Sequence, residues 1–172
     1  MITAPRIDER TEQPYVAIRT EVTMQEFGPV IPRLFQEVFG WLRGRGVAPA
    51  GPPFIRYLVI NMPGKLDVEM GVPVATPVPS DDRVSSGVLP GGRYAALVYR
   101  GDPSDGDAMM RANAALLDWG KEQGLAWDTW AADAGDAFGA RLEWSLTDPA
   151  EEPDMTKWET EVAIRLADEQ PR

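Results

Sequence analysis

The chain has 172 residues, 44% hydrophobic and 26% charged, the size and composition of an ordinary soluble domain or of two fused half-domains. Its net charge of −10 opposes nucleic-acid phosphates and anionic membrane surfaces, so neither is an expected partner. With no cysteine and no histidine, it excludes disulfides, Ser-His-Asp machinery and Cys- or His-ligated metal, leaving carboxylates, Lys, Tyr or a bound cofactor for any catalysis.

Residues 1–13 are polar and read as a loose lead-in. Tyr15 to Val22 alternates apolar and polar residues, as a half-buried strand does. Phe27, Val30, Ile31, Leu34, Phe35 and Val38 then recur at helical spacing, and Pro29 and Pro32 place the helix start near residue 30. Gly44 and Gly46 end it. Strands are predicted over Phe54–Ile60 and Leu66–Val74, around the turn residues Asn-Met-Pro-Gly (61–64). A breaker-rich linker, 75–83, comes next. Beyond it lie Val84–Leu89, the turn Pro-Gly-Gly, and Arg93–Arg100. Asp102 or Ser104 would cap a helix running to about Gln123. Leu125 to Phe138 reads as a long connection containing Trp127 and Trp130. Ala140–Leu146 and Trp158–Leu166 form a last hairpin around an acidic turn, and 167–172 is a polar tail. No apolar run approaches the roughly 20 residues of a membrane span. The N-terminus lacks the apolar stretch of a signal peptide, so a cytoplasmic location is expected.

The order states one plan twice. A shift of 78 places Trp41 on Trp119, Val38 on Leu116 and Gly46 on Gly124. The expected fold is α+β: two β-α-β-β units (14–74 and 84–167) in a single domain, forming antiparallel sheets with helices on one face. A ligand cavity is expected at the pseudo-twofold axis. Superposing the strand pairs sets Tyr57 on Glu143 and Glu69 on Glu161. Leu142, Trp144 and Leu146 share a strand face suited to packing on a helix; Arg141, Glu143 and Ser145 share the other. A carboxylate at Glu143 in an apolar cavity would attract a cation or serve as acid or base. The plainer reading makes Glu143 a sheet-edge residue paired with Arg141 or Arg165, and Glu69 and Glu161 solvated strand residues. Trp41, Trp119 and Trp144 read as core. No cofactor or metal is expected: Asp102–Asp107 lacks the closing glutamate of a calcium loop, and Leu-Pro-Gly-Gly lacks phosphate-loop spacing.

Leu-Glu-Trp-Ser-Leu-Thr-Asp-Pro (142–149) and Trp-Glu-Thr-Glu-Val-Ala-Ile-Arg-Leu (158–166) resemble the closing segment of GyrI-like domains, the effector-binding domains of bacterial multidrug-responsive activators. Leu-Pro-Gly-Gly-Arg-Tyr-Ala-Ala-Leu-Val-Tyr-Arg-Gly (89–101) and the helix end Leu-Leu-Asp-Trp (116–119) resemble the family's second repeat, and the likeness covers about 14–167. It implies a tandem repeat of two SHS2-like units around a cavity for hydrophobic, often cationic aromatic compounds. Glu143 would be the anionic anchor and Tyr57 a facing aromatic. Where the family often carries Tyr two residues after the glutamate, this chain has Ser145, so Trp130 and Trp158 are the candidate replacements, with Tyr94 completing the set. No segment is left for a helix-turn-helix, so a free-standing monomer or weak homodimer is expected. Binding is the leading expectation. The resemblance also admits a hydrolase opening cyclopropane rings of DNA-alkylating natural products, with Glu143 as general base and Tyr57 assisting, and a gyrase-interacting protein.

Overall fold

The computed structural model describes residues 1–169. Those residues form β1 (Arg6–Arg10), β2 (Gln13–Val22), α1 (Met24–Gly44), β3 (Phe54–Ile60), β4 (Leu66–Pro73), β5 (Ser85–Leu89) and β6 (Gly92–Arg100). They continue with α2 (Gly106–Glu122), β7 (Thr129–Ala132), β8 (Gly135–Phe138), β9 (Arg141–Ser145) and β10 (Glu159–Arg165). The strands make one antiparallel sheet in the order β1-β6-β10-β9-β3-β4-β2-β5, and the β7–β8 hairpin joins it at β3. The centre of this order is the β9–β3 pair, where Phe54, Ile55 and Arg56 face Trp144, Glu143 and Leu142.

Both helices cover one face. The α1 stripe of Ile31, Leu34, Val38 and Leu42 packs on Val16, Ile18, Met70 and Val72, while α2 sets Ala108, Ala112 and Leu116 on Ala95, Leu97, Val162 and Ile164. The other face carries its own core, built from Tyr15 and Leu89 near one end of the strand order, Tyr94 and Ala96 near the other, and Phe54 and Leu142 between. A flat sheet could not bring those strands together, so the sheet curls until its inner face closes on itself. Curling explains why Tyr15, Val16, Ala17 and Ile18 are all buried, where alternation alone predicts a half-buried strand. It also moves Leu142 and Trp144: they pack into the aromatic inner core, with Phe54 and Trp144 rings 4.7 Å apart, and not onto a helix.

Several local expectations are corrected. The lead-in contains a strand, because β1 pairs with β6 and its Arg6 and Arg10 reach Glu161 at 2.7 and 2.8 Å. Glu161 is 8% exposed and Glu69 accepts from the Tyr15 hydroxyl at 2.6 Å, so neither is a freely solvated strand residue. Helix α1 starts at Met24, not near 30: Thr23 and Glu26 form a reciprocal capping box, and Pro29 and Pro32 are carried inside the helix. Asp105, rather than Asp102 or Ser104, caps α2. The connection after α2 holds the β7–β8 hairpin.

The chain also crosses over at its borders. β1 belongs to the first half of the sequence yet pairs with β6 of the second, and β5, at the start of the second half, pairs with β2 of the first. No described helix is long and apolar enough to cross a membrane.

Candidate ligand site at the central seam

The two helices stand over β2 and β4 on one side and β6 and β10 on the other, so the helix-side face of β3 and β9 is the floor between them. Cross-strand pairing lays one row across this face: Ile18, Met70, Ile55, Glu143, Val162 and Leu97. Five members are apolar and the sixth is Glu143. Alternation along β9 sets Arg141 and Ser145 on the same face.

Tyr57, two residues past Ile55 on β3, donates its hydroxyl to Glu143 Oε1. Phe27 of α1 stacks on the Tyr57 ring with centroids 6.2 Å apart and planes 8° from parallel. From the other side, Arg141 donates Nη2 to Asn113 Oδ1 of α2 at 3.1 Å, and its guanidinium lies 4.8 Å from the Phe138 ring centre. The seam thus draws one aromatic from α1 and one amide from α2 onto a floor of Tyr57, Glu143 and Arg141.

Burial sets the electrostatics. It pushes the Glu143 carboxyl above its usual range, against the opposing pull of the Tyr57 hydrogen bond and the Arg141 charge. Burial first, then the Glu143 charge, hold the Tyr57 phenol well above 10.0, so it stays a proton donor. Burial also lowers Arg141, opposed by Glu143. Among the described residues no group of three or more carboxylates converges to hold a metal ion.

A family model for the GyrI-like small molecule binding domain matches residues 3–167. The chain belongs to the GyrI-like family. Among solved structures, the GyrI-like fold here is similar to the EcmrR C-terminal domain, with a TM-score of 0.72 and 18% identity over 96% of this chain and 98% of that one. It also matches EcmrR in a DNA complex at a TM-score of 0.72 and 17% identity, over 95% of this chain and 57% of that longer one. SAV2435 bound to tetraphenylphosphonium gives a TM-score of 0.63 at 11% identity, covering 96% of this chain and 94% of that one. Comparison with curated protein sequences gave no match.

The expected site residues separate into groups. Tyr57 and Glu143 meet directly, and Ser145 is exposed at the end of the same strand face. Tyr94 lies on the opposite face, where it is buried in the inner core, donates to the Pro90 carbonyl at 2.6 Å and sits under Arg10. Trp158 turns its Nε1 back to the Glu152 carbonyl at 2.7 Å and closes its own loop. Trp130 is 54% exposed on the β7–β8 hairpin. A 40 Å³ notch beside Tyr94 and Trp144 on the inner face and a 280 Å³ cleft beside Glu21, Asn61 and Lys65 both lie away from the seam; Glu143 and Tyr57 line neither. At the seam itself, Tyr57 bonds Glu143 and Phe27 stacks on the Tyr57 ring. Sequence reasoning missed Phe27 and Asn113. Phe27 belongs to the apolar stripe of its helix, and Asn113 is a lone polar residue on α2 with no motif around it to single it out.

Proposed function

We propose that this GyrI-like domain binds aromatic small molecules carrying a basic group at the seam between its helices, with Glu143 as the anionic anchor. The observation that carries this is the cross-strand row: one carboxylate in an apolar line, held by a phenol and flanked by an aromatic stack. A carboxylate there gains more from a desolvated cation than one in water does, and a ring beside it adds cation–π attraction of ~0.5–2 kcal/mol. The ligand would take the place of Tyr57 at Glu143 and lie against Phe27. The SAV2435 structure with tetraphenylphosphonium, an aromatic cation, supports this ligand class. The matching orders β2-α1-β3-β4 and β6-α2-β9-β10 support a duplicated unit within a single domain, whose axis would run through the β3–β9 pair. Titration with a cationic rhodamine, followed by fluorescence, tests the reading. Glu143→Gln is expected to weaken binding about tenfold; unchanged binding overturns the role of the charge.

A second reading is favoured by the Tyr57–Glu143 bond, which couples a proton donor to a carboxylate whose pKa is raised. Two neighbours from Listeria innocua are described as hydrolases, one of them with a TM-score of 0.59 and 13% identity over 95% of this chain and 91% of that one. Glu143 would take a proton from water as its oxygen attacks a cyclopropane carbon. The ring bond would break toward a conjugated carbonyl, whose oxygen would take the Tyr57 proton, and Glu143 would return the water's proton to Tyr57. Incubation with a cyclopropane-bearing alkylator should then give a ring-opened, hydrated product by mass; unchanged compound leaves binding alone.

A further inference from the structure

Arg141 is the second charge of the seam. It stands two residues from Glu143 on the same face of β9, about 7 Å along the strand. Its guanidinium offers five N–H donors, of which, among the described residues, one is engaged, by the neutral amide oxygen of Asn113 at 3.1 Å. Among the described residues Arg141 makes no ion pair. Glu143 and Asp136 are the carboxylates that act on it through space, and Glu143 Oε1 accepts from the Tyr57 hydroxyl. Asn113 and the Phe138 ring hold the guanidinium toward α2, so the two opposite charges are neighbours without closing on each other.

A half-buried guanidinium with free donors is complemented by an oxyanion, and a carboxylate matches its flat fork in two parallel hydrogen bonds. It also penalises a permanent cation placed at Glu143, which would lie about 7 Å along the strand from a like charge. Resting on the small-molecule reading above, we infer that the seam is two-poled: it selects aromatic zwitterions, with the basic group at Glu143 and a carboxylate at Arg141, over aromatic monocations. Arg141 is then the specificity-determining residue. Its flat fork, steadied on Phe138 and by Asn113, supplies paired donors at a fixed height above the floor.

A matched dye pair tests this: a rhodamine ethyl ester, which is a permanent cation, and the free acid of the same xanthene, a zwitterion at neutral pH. The wild-type chain should bind the acid roughly tenfold more tightly than the ester. In Arg141→Met, which keeps the apolar stem on Phe138, that preference should vanish and the ester should bind more tightly than to wild type. Arg141→Lys should keep part of the preference, and circular dichroism melts report whether each variant is folded. If the wild type binds both dyes equally or prefers the ester, the inference is overturned without any variant. A preference that persists in folded Arg141→Met also overturns it. In both cases, loss of dye binding in Glu143→Gln would leave the site reading standing, whereas binding of neither dye by the wild type overturns both.

Discussion

Burial raises the Glu143 carboxyl in a row whose other members are apolar, so at neutral pH the folded chain holds it at a cost. Its folded pKa is raised, which means its stabilising contribution is present below the usual carboxylate range and is lost as pH rises through the raised value. Glu143→Gln should therefore raise the melting temperature at pH 7 while weakening dye binding. The gain should disappear when melts are repeated below about pH 4. Tyr57→Phe removes the hydroxyl that bonds Glu143, leaving the carboxylate without its hydrogen-bond donor; unfolding in urea should show a loss of about 1–2 kcal/mol. Strand alternation and the superposed halves made this pair legible in the sequence, and alternation also set Arg141 on the same face. Phe27 and Asn113 were not legible, because a helical stripe looks the same whether it faces a core or the edge of a seam.

Element boundaries depended on signals that compete. Thr23-x-x-Glu26 is a capping box in plain sight, but two prolines downstream argued for a later start. In the folded chain the cap prevails: Pro29 and Pro32 each forfeit one backbone donor within a 21-residue helix anchored by Ile31, Leu34, Val38 and Leu42. Thr23→Ala should cost about 1 kcal/mol, read as a shift of the urea midpoint at unchanged slope. The β7–β8 hairpin hid for a different reason, since strands of four residues carry little periodicity. Its tight turn ends at Gly135, whose φ of 144° no other residue adopts comfortably and whose missing side chain leaves room for the Ile60 carbonyl. Gly135→Ala should detach the hairpin from β3, and amide exchange should quicken at residues 129–138 before the rest of the sheet.

For the whole molecule, the duplicated order predicted two helices over an antiparallel sheet, and that is the arrangement found. What the sequence pattern concealed was the curl, which depends on contacts between distant strands, and the strand at the N-terminus. Arg-Ile-Asp-Glu-Arg reads as solvated because its alternation is charged on one side; in the fold that charge meets the buried Glu161. Replacing Arg6 and Arg10 together by Gln should leave Glu161 without its two cations, a loss of about 2–3 kcal/mol once the solvent around half-exposed Arg6 is allowed for. The crossed borders have a consequence of their own. Each half of the polypeptide lends its outermost strand to the other, like two hands clasped at the wrists. A backbone severed within 75–79 would yield two fragments, each holding the border its partner lacks. They should re-form as a complementing pair, and a compound lodged where they meet would tighten their grip.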